Sequence, residues 1–183
     1  MRAVFLFVLI LSLTACGGPE PRRPVKVSTG SFMKESVERN KELLAAEEAE
    51  IMKIIEADTL HNYHSNASGS WYYYVEQNEE ATYLPKAGDL VTLSYNMLSL
   101  QNDTIYSADE IGIIPYQVDK EELFPGLRNS VKLLKEGETA VFLFPSSQAY
   151  GYHGDDHKIG TNVPVKSSVT LLSIQQQKDS IQN

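Results

Sequence analysis

The histidines and the single cysteine are the residues of this 183-residue chain whose types could carry chemistry. His153 and His157 flank two aspartates, and this mixture of imidazole and carboxylate groups could bind a divalent metal. A metal site also needs a fixed set of ligands and a second shell, which the glycine at position 154 and a loop context do not supply. We therefore expect a solvated loop here, and His61 and His64 form a still weaker candidate. Neither a metal nor any other cofactor is predicted.

Cys16 is the only cysteine, so no intramolecular disulfide can form. It follows an early arginine, an apolar run over residues 3–13 and two small residues, the order typical of a secretory signal peptide. The run is shorter than the roughly 20 residues that a membrane-spanning helix needs. Residues 13–16 (Leu-Thr-Ala-Cys) resemble the bacterial lipobox, which implies cleavage before Cys16, acylation of this residue and a membrane anchor. The alternative is a secreted protein with an incidental cysteine.

The charge of the chain argues against one class of partner. There are 16 lysines and arginines against 24 aspartates and glutamates, a formal net charge of −8. Such a surface repels a phosphate backbone, so nucleic-acid binding is not expected. The sequence also has no Walker or GxGxxG motif for a nucleotide. Apolar residues make up 42% of the chain, which is enough for a folded core.

The composition divides the chain into a leader, a tether, a helical arm and one folded domain. Residues 17–32 are rich in Gly and Pro and have no apolar period, which predicts an extended tether. The predicted boundaries are 1–15 for the signal peptide, 16–32 for the lipidated tether, 33–68 for the helical arm, 69–177 for the domain and 178–183 for the tail.

The segment 33–57 contains no proline or glycine and is rich in Glu, Lys, Leu and Ala, which predicts a helix. Its apolar residues Val37, Leu44, Ile51 and Ile55 recur at a spacing that places them on one face. We hypothesise that this face pairs two copies of the chain into a homodimer through residues 33–57. The alternatives are a helix packed on its own domain and a solvated stalk.

Six stretches in the domain have strand character and surround one short helix. Aromatic and β-branched residues are frequent in them, and residues 89–98 alternate between two faces. Strands are predicted at 71–75, 89–98, 104–106, 115–118, 139–144 and 165–174, and a helix at 126–134 with Gly137 as its stop. Short strands with hairpin spacings around one helix predict an antiparallel α+β domain.

Short motifs follow one another in a defined order across residues 69–176. They are Gly-Ser-Trp-Tyr-Tyr-Tyr-Val at 69–75, Pro-Lys-Ala-Gly-Asp-Leu-Val at 85–91, Leu-Phe-Pro-Gly-Leu at 123–127, Lys-Glu-Gly-Glu at 135–138, Ala-Tyr-Gly at 149–151 and Ile-Gly-Thr-Asn at 159–162. In this order they resemble the FKBP-type peptidyl-prolyl cis-trans isomerase domain. The resemblance implies a twisted five-stranded antiparallel sheet around one short helix, with a proline pocket between them.

Further stretches at 22–25, 31–41, 142–145 and 149–155 are similar to the gliding-motility-associated FKBP-type lipoproteins of Bacteroidetes. This similarity implies a lipid-anchored folding helper whose partners are proline-containing proteins of the cell envelope, within a gliding or secretion machinery. No acidic residue directly follows Cys16 as an export signal. We therefore expect the periplasmic face, at the outer rather than the inner membrane.

The resemblance also implies which residues form the pocket. Tyr150 would donate its hydroxyl to a substrate carbonyl, and the backbone N–H of Phe124 would donate to another carbonyl. Leu127 falls at the position of the pocket floor, beneath the proline ring. The other predicted pocket residues, catalytic or substrate-binding, are Tyr95, Ile105, Tyr106, Leu123 and Ile159.

Three positions depart from the family pattern. Leu127 replaces a tryptophan, Tyr106 an aspartate and Ser167 a buried phenylalanine. A leucine floor is smaller than an indole, so a looser and wetter pocket is expected. Two functions follow as alternatives. One is an isomerase that turns over Xaa-Pro bonds, and the other is a binding module or chaperone that holds proline segments without catalysis. A passive structural lipoprotein would overlap both.

Overall fold

The computed structural model describes residues 29–177, with side chains from residue 32. The leader, Cys16, most of the predicted tether and the tail 178–183 lie outside the described residues. The chain divides into two compact units after Ser36, and the contacts discussed below lie within the second. The helices and strands are, in chain order, α1 (Thr29–Ala57), β1 (His64–Ser65), β2 (Trp71–Glu76), β3 (Leu90–Tyr95), β4 (Met97–Leu98), β5 (Thr104–Tyr106), α2 (Ala108–Ile111), β6 (Ile114–Gln117), α3 (Pro125–Val131), β7 (Thr139–Phe144), a 3-10 turn (Ser146–Gln148) and β8 (Val165–Gln175).

The strands form one antiparallel sheet in the order β1-β2-β7-β8-β3-β6, and β4 pairs with both β5 and β8. This confirms the predicted α+β class. Each of the six predicted runs contains a strand. The six runs give seven strands, because Asn96 separates β3 from β4, and the short β1, which was not predicted, makes eight among the described residues, against the five that the resemblance implies.

One face of the sheet packs against α3. Alternate residues of β3 are buried there with Leu127, Val131 and Leu134, all fully buried. Pro125 at the first turn favours helix initiation, because its missing N–H would have no partner inside the helix. A Cβ atom at Gly126 would lie 2.6 Å from the carbonyl oxygen of Gln148. Only glycine therefore lets α3 approach the turn after β7 this closely. At its other end, α3 stops at Val131 rather than at the predicted residue 134.

The other face of the sheet packs against α1. Ile51 is fully buried with Leu143 of β7 and Leu100. Because α1 covers this face, β7 is buried on both sides over Ala140–Phe144. Val37 is 51% exposed, so the predicted apolar stripe is buried only in its C-terminal part. That part packs on its own domain, and the homodimer stays a prediction.

α1 begins at Thr29, four residues before the predicted start. None of the described helices combines the length and the apolar character needed to cross a membrane.

Candidate active site

An open cleft of about 490 Å³ lies at the N-terminal end of α3. Three structural elements position its aromatic residues. Tyr95 is the last residue of β3, Phe124 is the N-cap of α3, and Tyr150 follows the 3-10 turn after β7. The residues lining the cleft are Tyr95, Glu122, Leu123, Phe124, Pro125, Ala149 and Tyr150.

Phe124 lies at the centre of the aromatic cluster. Its ring centroid is 5.4 Å from that of Tyr150 and 6.3 Å from that of Tyr95. The ring of Phe144 supports it from the core in an edge-to-face contact, with the centroids 5.5 Å apart. Offset and edge-to-face arrangements are the favourable ones for aromatic pairs. The cleft therefore has a wall of aromatic rings backed by the core.

Three hydrogen-bond donors at this wall lack a partner within residues 29–177. They are the hydroxyls of Tyr95 and Tyr150 and the backbone N–H of Phe124. Burial raises the pKa of Tyr95 to about 12. Burial and the nearby Asp155 carboxylate also raise the pKa of Tyr150 above its usual value of 10.0. Both hydroxyls therefore stay protonated near neutral pH and can donate to a carbonyl oxygen.

Asp155 organises the loop beside the cleft. Its carboxylate accepts hydrogen bonds from the Tyr106 hydroxyl, from the N–H of Ile159 at 2.7 Å and from the N–H of His157 at 3.0 Å. Burial alone would raise the pKa of Asp155, but these hydrogen bonds hold it below 3.8. Tyr106, which stands where the family pattern has an aspartate, is thus paired with a carboxylate of the loop.

The described residues contain no group of three His, Cys, Asp or Glu side chains that could hold a metal. The Asp155 carboxylate, between the two histidines of this loop in sequence, is engaged by Tyr106 and the loop backbone.

The structure brings together only part of the predicted pocket. Tyr95, Leu123, Phe124 and Tyr150 line the cleft. Leu127 and Ile159, by contrast, are 0% and 3% exposed within the main core.

Leu127 therefore lies in the core, where the close approach of α3 to β7 encloses it, and its role as the pocket floor stays a prediction. Ile105 and Tyr106 are half-buried against the core and are not cleft-lining residues either. Ser167 is fully buried, and its hydroxyl donates to the carbonyl of Asn96 at 2.6 Å.

Sequence reasoning missed three cleft residues. Glu122, Pro125 and Ala149 line the cleft beside the predicted aromatics. Each is an immediate neighbour in sequence of Leu123, Phe124 or Tyr150. Pro125 and Ala149 belong to the motifs at 123–127 and 149–151, and Glu122 directly precedes the first of these motifs.

The sheet wrapped against a short helix, with an aromatic cleft at the helix N-terminus, defines an FKBP-like fold. A solved peptidyl-prolyl cis-trans isomerase from Pseudomonas syringae pv. tomato has this fold, with a TM-score of 0.60, and the match covers 74% of this chain and 96% of that one at 18% identity. Residues 82–172 match the family model of the FKBP-type peptidyl-prolyl cis-trans isomerases. This domain of the chain belongs to that family.

A curated relative supports the assignment. The chain is 33% identical over 110 residues to a probable FKBP-type peptidyl-prolyl cis-trans isomerase FkpA from Neisseria meningitidis serogroup B. The match covers 60% of this chain and spans only 39% of the length of that relative. Residues 29–57, which form α1, lie outside the family match.

Proposed function

We propose that this chain is a lipid-anchored peptidyl-prolyl cis-trans isomerase that acts on proline-containing proteins of the cell envelope. The observation that carries the proposal is the aromatic cleft, in which two tyrosine hydroxyls and the N–H of Phe124 have no partner within residues 29–177. Such a site offers donors to the carbonyl groups of a bound peptide.

The chemistry needs neither an acid nor a base. An Xaa-Pro bond rotates over a barrier of about 18–20 kcal/mol because resonance stabilises its planar form. At the twisted transition state the amide loses part of that resonance and of its dipole. An apolar cleft therefore disfavours the planar amide more than the twisted one.

The magnitudes are compatible with useful catalysis. Burying an amide without a partner costs roughly 2–7 kcal/mol. An acceleration of about ten-thousand-fold requires about 5.5 kcal/mol. Desolvation in the cleft and one or two hydrogen bonds could supply this difference.

Each cleft residue has a distinct role in this proposal. Tyr150 donates its hydroxyl to the carbonyl that precedes the proline, and the N–H of Phe124 holds a second carbonyl of the peptide. The rings of Tyr95 and Phe124 contact the pyrrolidine ring. Glu122, which is largely exposed at the rim, would favour a basic residue in the bound peptide.

The location of the chain is part of the proposal. Acylation of Cys16 would anchor the domain at the periplasmic face of the outer membrane, and the clients would belong to a gliding or secretion machinery. The lipobox-like residues 13–16 and the similarity to gliding-motility lipoproteins support this location.

A binding module or chaperone is the second candidate function. It is favoured by the leucine at position 127, because a leucine cannot form the wide aromatic floor that a tryptophan would give at this position of the family pattern. An open cleft without an aromatic floor can hold a proline segment without stabilising the twisted state.

Exchange NMR of Xaa-Pro isomerisation in a tetrapeptide, catalysed by the full-length chain in detergent, separates the two candidates. We expect catalysis, and a loss of about tenfold in Tyr150→Phe, the value for one hydrogen bond of about 1.4 kcal/mol. Tyr152→Phe is the matched control, because Tyr152 is 76% exposed and does not line the cleft. A folded wild type without acceleration would exclude the enzyme, and peptide binding by that protein would favour the chaperone.

A further inference from the structure

A buried carboxylate of α1 contacts the turn that carries Tyr150. Glu47 is 6% exposed and Ser146 is 3% exposed. One oxygen of Glu47 accepts from the backbone N–H of Ser146, and the other accepts from its hydroxyl, each at 2.7 Å. A hydrogen bond to an ionised carboxylate is about twice as strong as one between neutral groups. Both donors of Ser146 are thus held by a single side chain.

Ser146 in turn holds both neighbours of Tyr150. Its carbonyl oxygen accepts from the N–H of Ala149 at 3.0 Å and from the N–H of Gly151 at 2.8 Å. Gly151 has a φ of 58°, the left-handed region that glycine adopts without strain. Tyr150 is therefore placed by two hydrogen bonds that converge on the residue bound to Glu47.

Glu47 itself has little freedom to move. Ile51, one helical turn later on the same face of α1, is fully buried against Leu143 of β7. β7 is the strand that leads into the turn containing Ser146. The helix and the turn are therefore attached to the same strand, which fixes the carboxylate relative to Ser146.

We infer that Glu47 is a positioning residue of the cleft, and that α1 is a working part of the site rather than a spacer. By fixing Ser146, Glu47 holds the ring and hydroxyl of Tyr150 at the cleft wall. Its effect on turnover rests on the proposed function, whereas its effect on the conformation of the turn does not. Glu47 lies outside residues 82–172, so the family match does not assign it this role.

The first test is a double-mutant cycle measured by exchange NMR of peptide isomerisation on the full-length chain. Glu47→Ala should lower kcat/KM about tenfold through kcat, and Glu47→Gln, which keeps one acceptor oxygen, should recover part of it. In the Tyr150→Phe background, Glu47→Ala should lower kcat/KM by less than about twofold, because the two residues act as one unit. Losses that multiply independently would overturn the inference.

Two control variants separate positioning from general destabilisation. Glu42→Gln removes a charge from an exposed position of the same helix. Ile51→Val loosens the contact of α1 without removing the carboxylate. Glu42→Gln should keep kcat within about twofold of wild type, and Ile51→Val should lower kcat less than Glu47→Ala does. A loss in Ile51→Val as large as that in Glu47→Ala would show that only helix docking matters, and would overturn the role of Glu47.

The second test does not depend on activity. Amide hydrogen exchange of Ala149 and Gly151 should accelerate about tenfold in Glu47→Ala, while that of Leu93 in the core should not change. Unchanged exchange at the turn, or acceleration throughout the domain, would overturn the inference. An inactive wild type would exclude the proposed enzyme, yet this measurement would still decide whether Glu47 positions Tyr150.

Discussion

The two faces of β7 are built differently. On one face Ala140, Phe142 and Phe144 join the main core with α3, and the aromatic rings of Phe142 and Phe144 stack 5.7 Å apart. On the other face Leu143 meets Ile51 of α1 in a much smaller cluster. Beside that cluster, at the end of the strand, a buried carboxylate binds Ser146.

The two faces therefore contribute to the cleft in different ways. The main core supports the aromatic wall of the cleft through Phe144, which contacts Phe124. Beside the smaller cluster, the turn before Tyr150 is held by polar contacts that depend on one charged side chain, Glu47. Changes in the main core should therefore lower the stability of the whole domain, whereas changes on the α1 face should act more locally.

The largest expected effect is in the main core. Leu127→Ala should lower the free energy of unfolding by about 2–5 kcal/mol, because it leaves a cavity where a fully buried side chain stood. Urea unfolding followed by circular dichroism measures this loss. Leu172→Ala is the control, since Leu172 is 40% exposed. Equal losses in the two variants would contradict the assignment of Leu127 to the core.

A substitution on the face of β7 that α1 covers should lower the stability less than one in the main core. Ile51→Ala should lower the free energy of unfolding by about 2 kcal/mol, near the lower end for a buried side chain, because a small cluster can relax. Amides of α1 should lose protection from hydrogen exchange before those of β3 do. If Ile51→Ala proved more costly than Leu127→Ala, the ranking of the two faces would be wrong.

The stability of the fold should also depend on pH through Asp58, the residue that follows α1. The hydrogen bond from His61, at 2.8 Å, and those from Leu60 and Tyr63 lower the pKa of Asp58 from 3.8 to about 2. Because the folded pKa is depressed, this group stabilises the fold fully above pH 3.8, and the contribution is lost as the pH falls towards 2.

Urea unfolding at several pH values tests this contribution. Asp58→Asn should flatten the fall in stability between pH 3.8 and about 2, while Asp103→Asn should leave it as in wild type. A profile unchanged by Asp58→Asn would show that the contact with His61 does not contribute.

The smallest effect is expected for the pH dependence of catalysis in the cleft. The raised pKa values of Tyr95 and Tyr150 keep both hydroxyls protonated, so kcat/KM should stay flat between about pH 6 and pH 9. A pH series of the isomerisation assay measures it, with uncatalysed exchange as the baseline. A change of kcat/KM with pH in this range that persists in His153→Asn and His157→Asn would point to an ionising group in the cleft.

Local patterns in the sequence predicted much of the fold. The alternation of residues 89–98 places Val91, Leu93 and Tyr95 on one buried face, as found in β3. The motif around Phe124 and the residue Tyr150 line the same cleft. The enclosure of Leu127 could not be predicted in the same way, because it depends on how closely α3 approaches β7.

By itself, the sequence determined the α+β class, the helix of residues 33–57, most of the strands and the aromatic residues of the cleft. The class, the helix and the strands follow from periodicity and turn residues, whereas the cleft residues rest on the resemblance of the motifs to a known family. Only the tertiary structure decided that α1 covers the second face of β7, that Asp155 binds Tyr106 and that Glu47 holds Ser146. Glu47 and Ser146 are 99 positions apart, and no local pattern encodes a hydrogen bond between residues that only folding brings together.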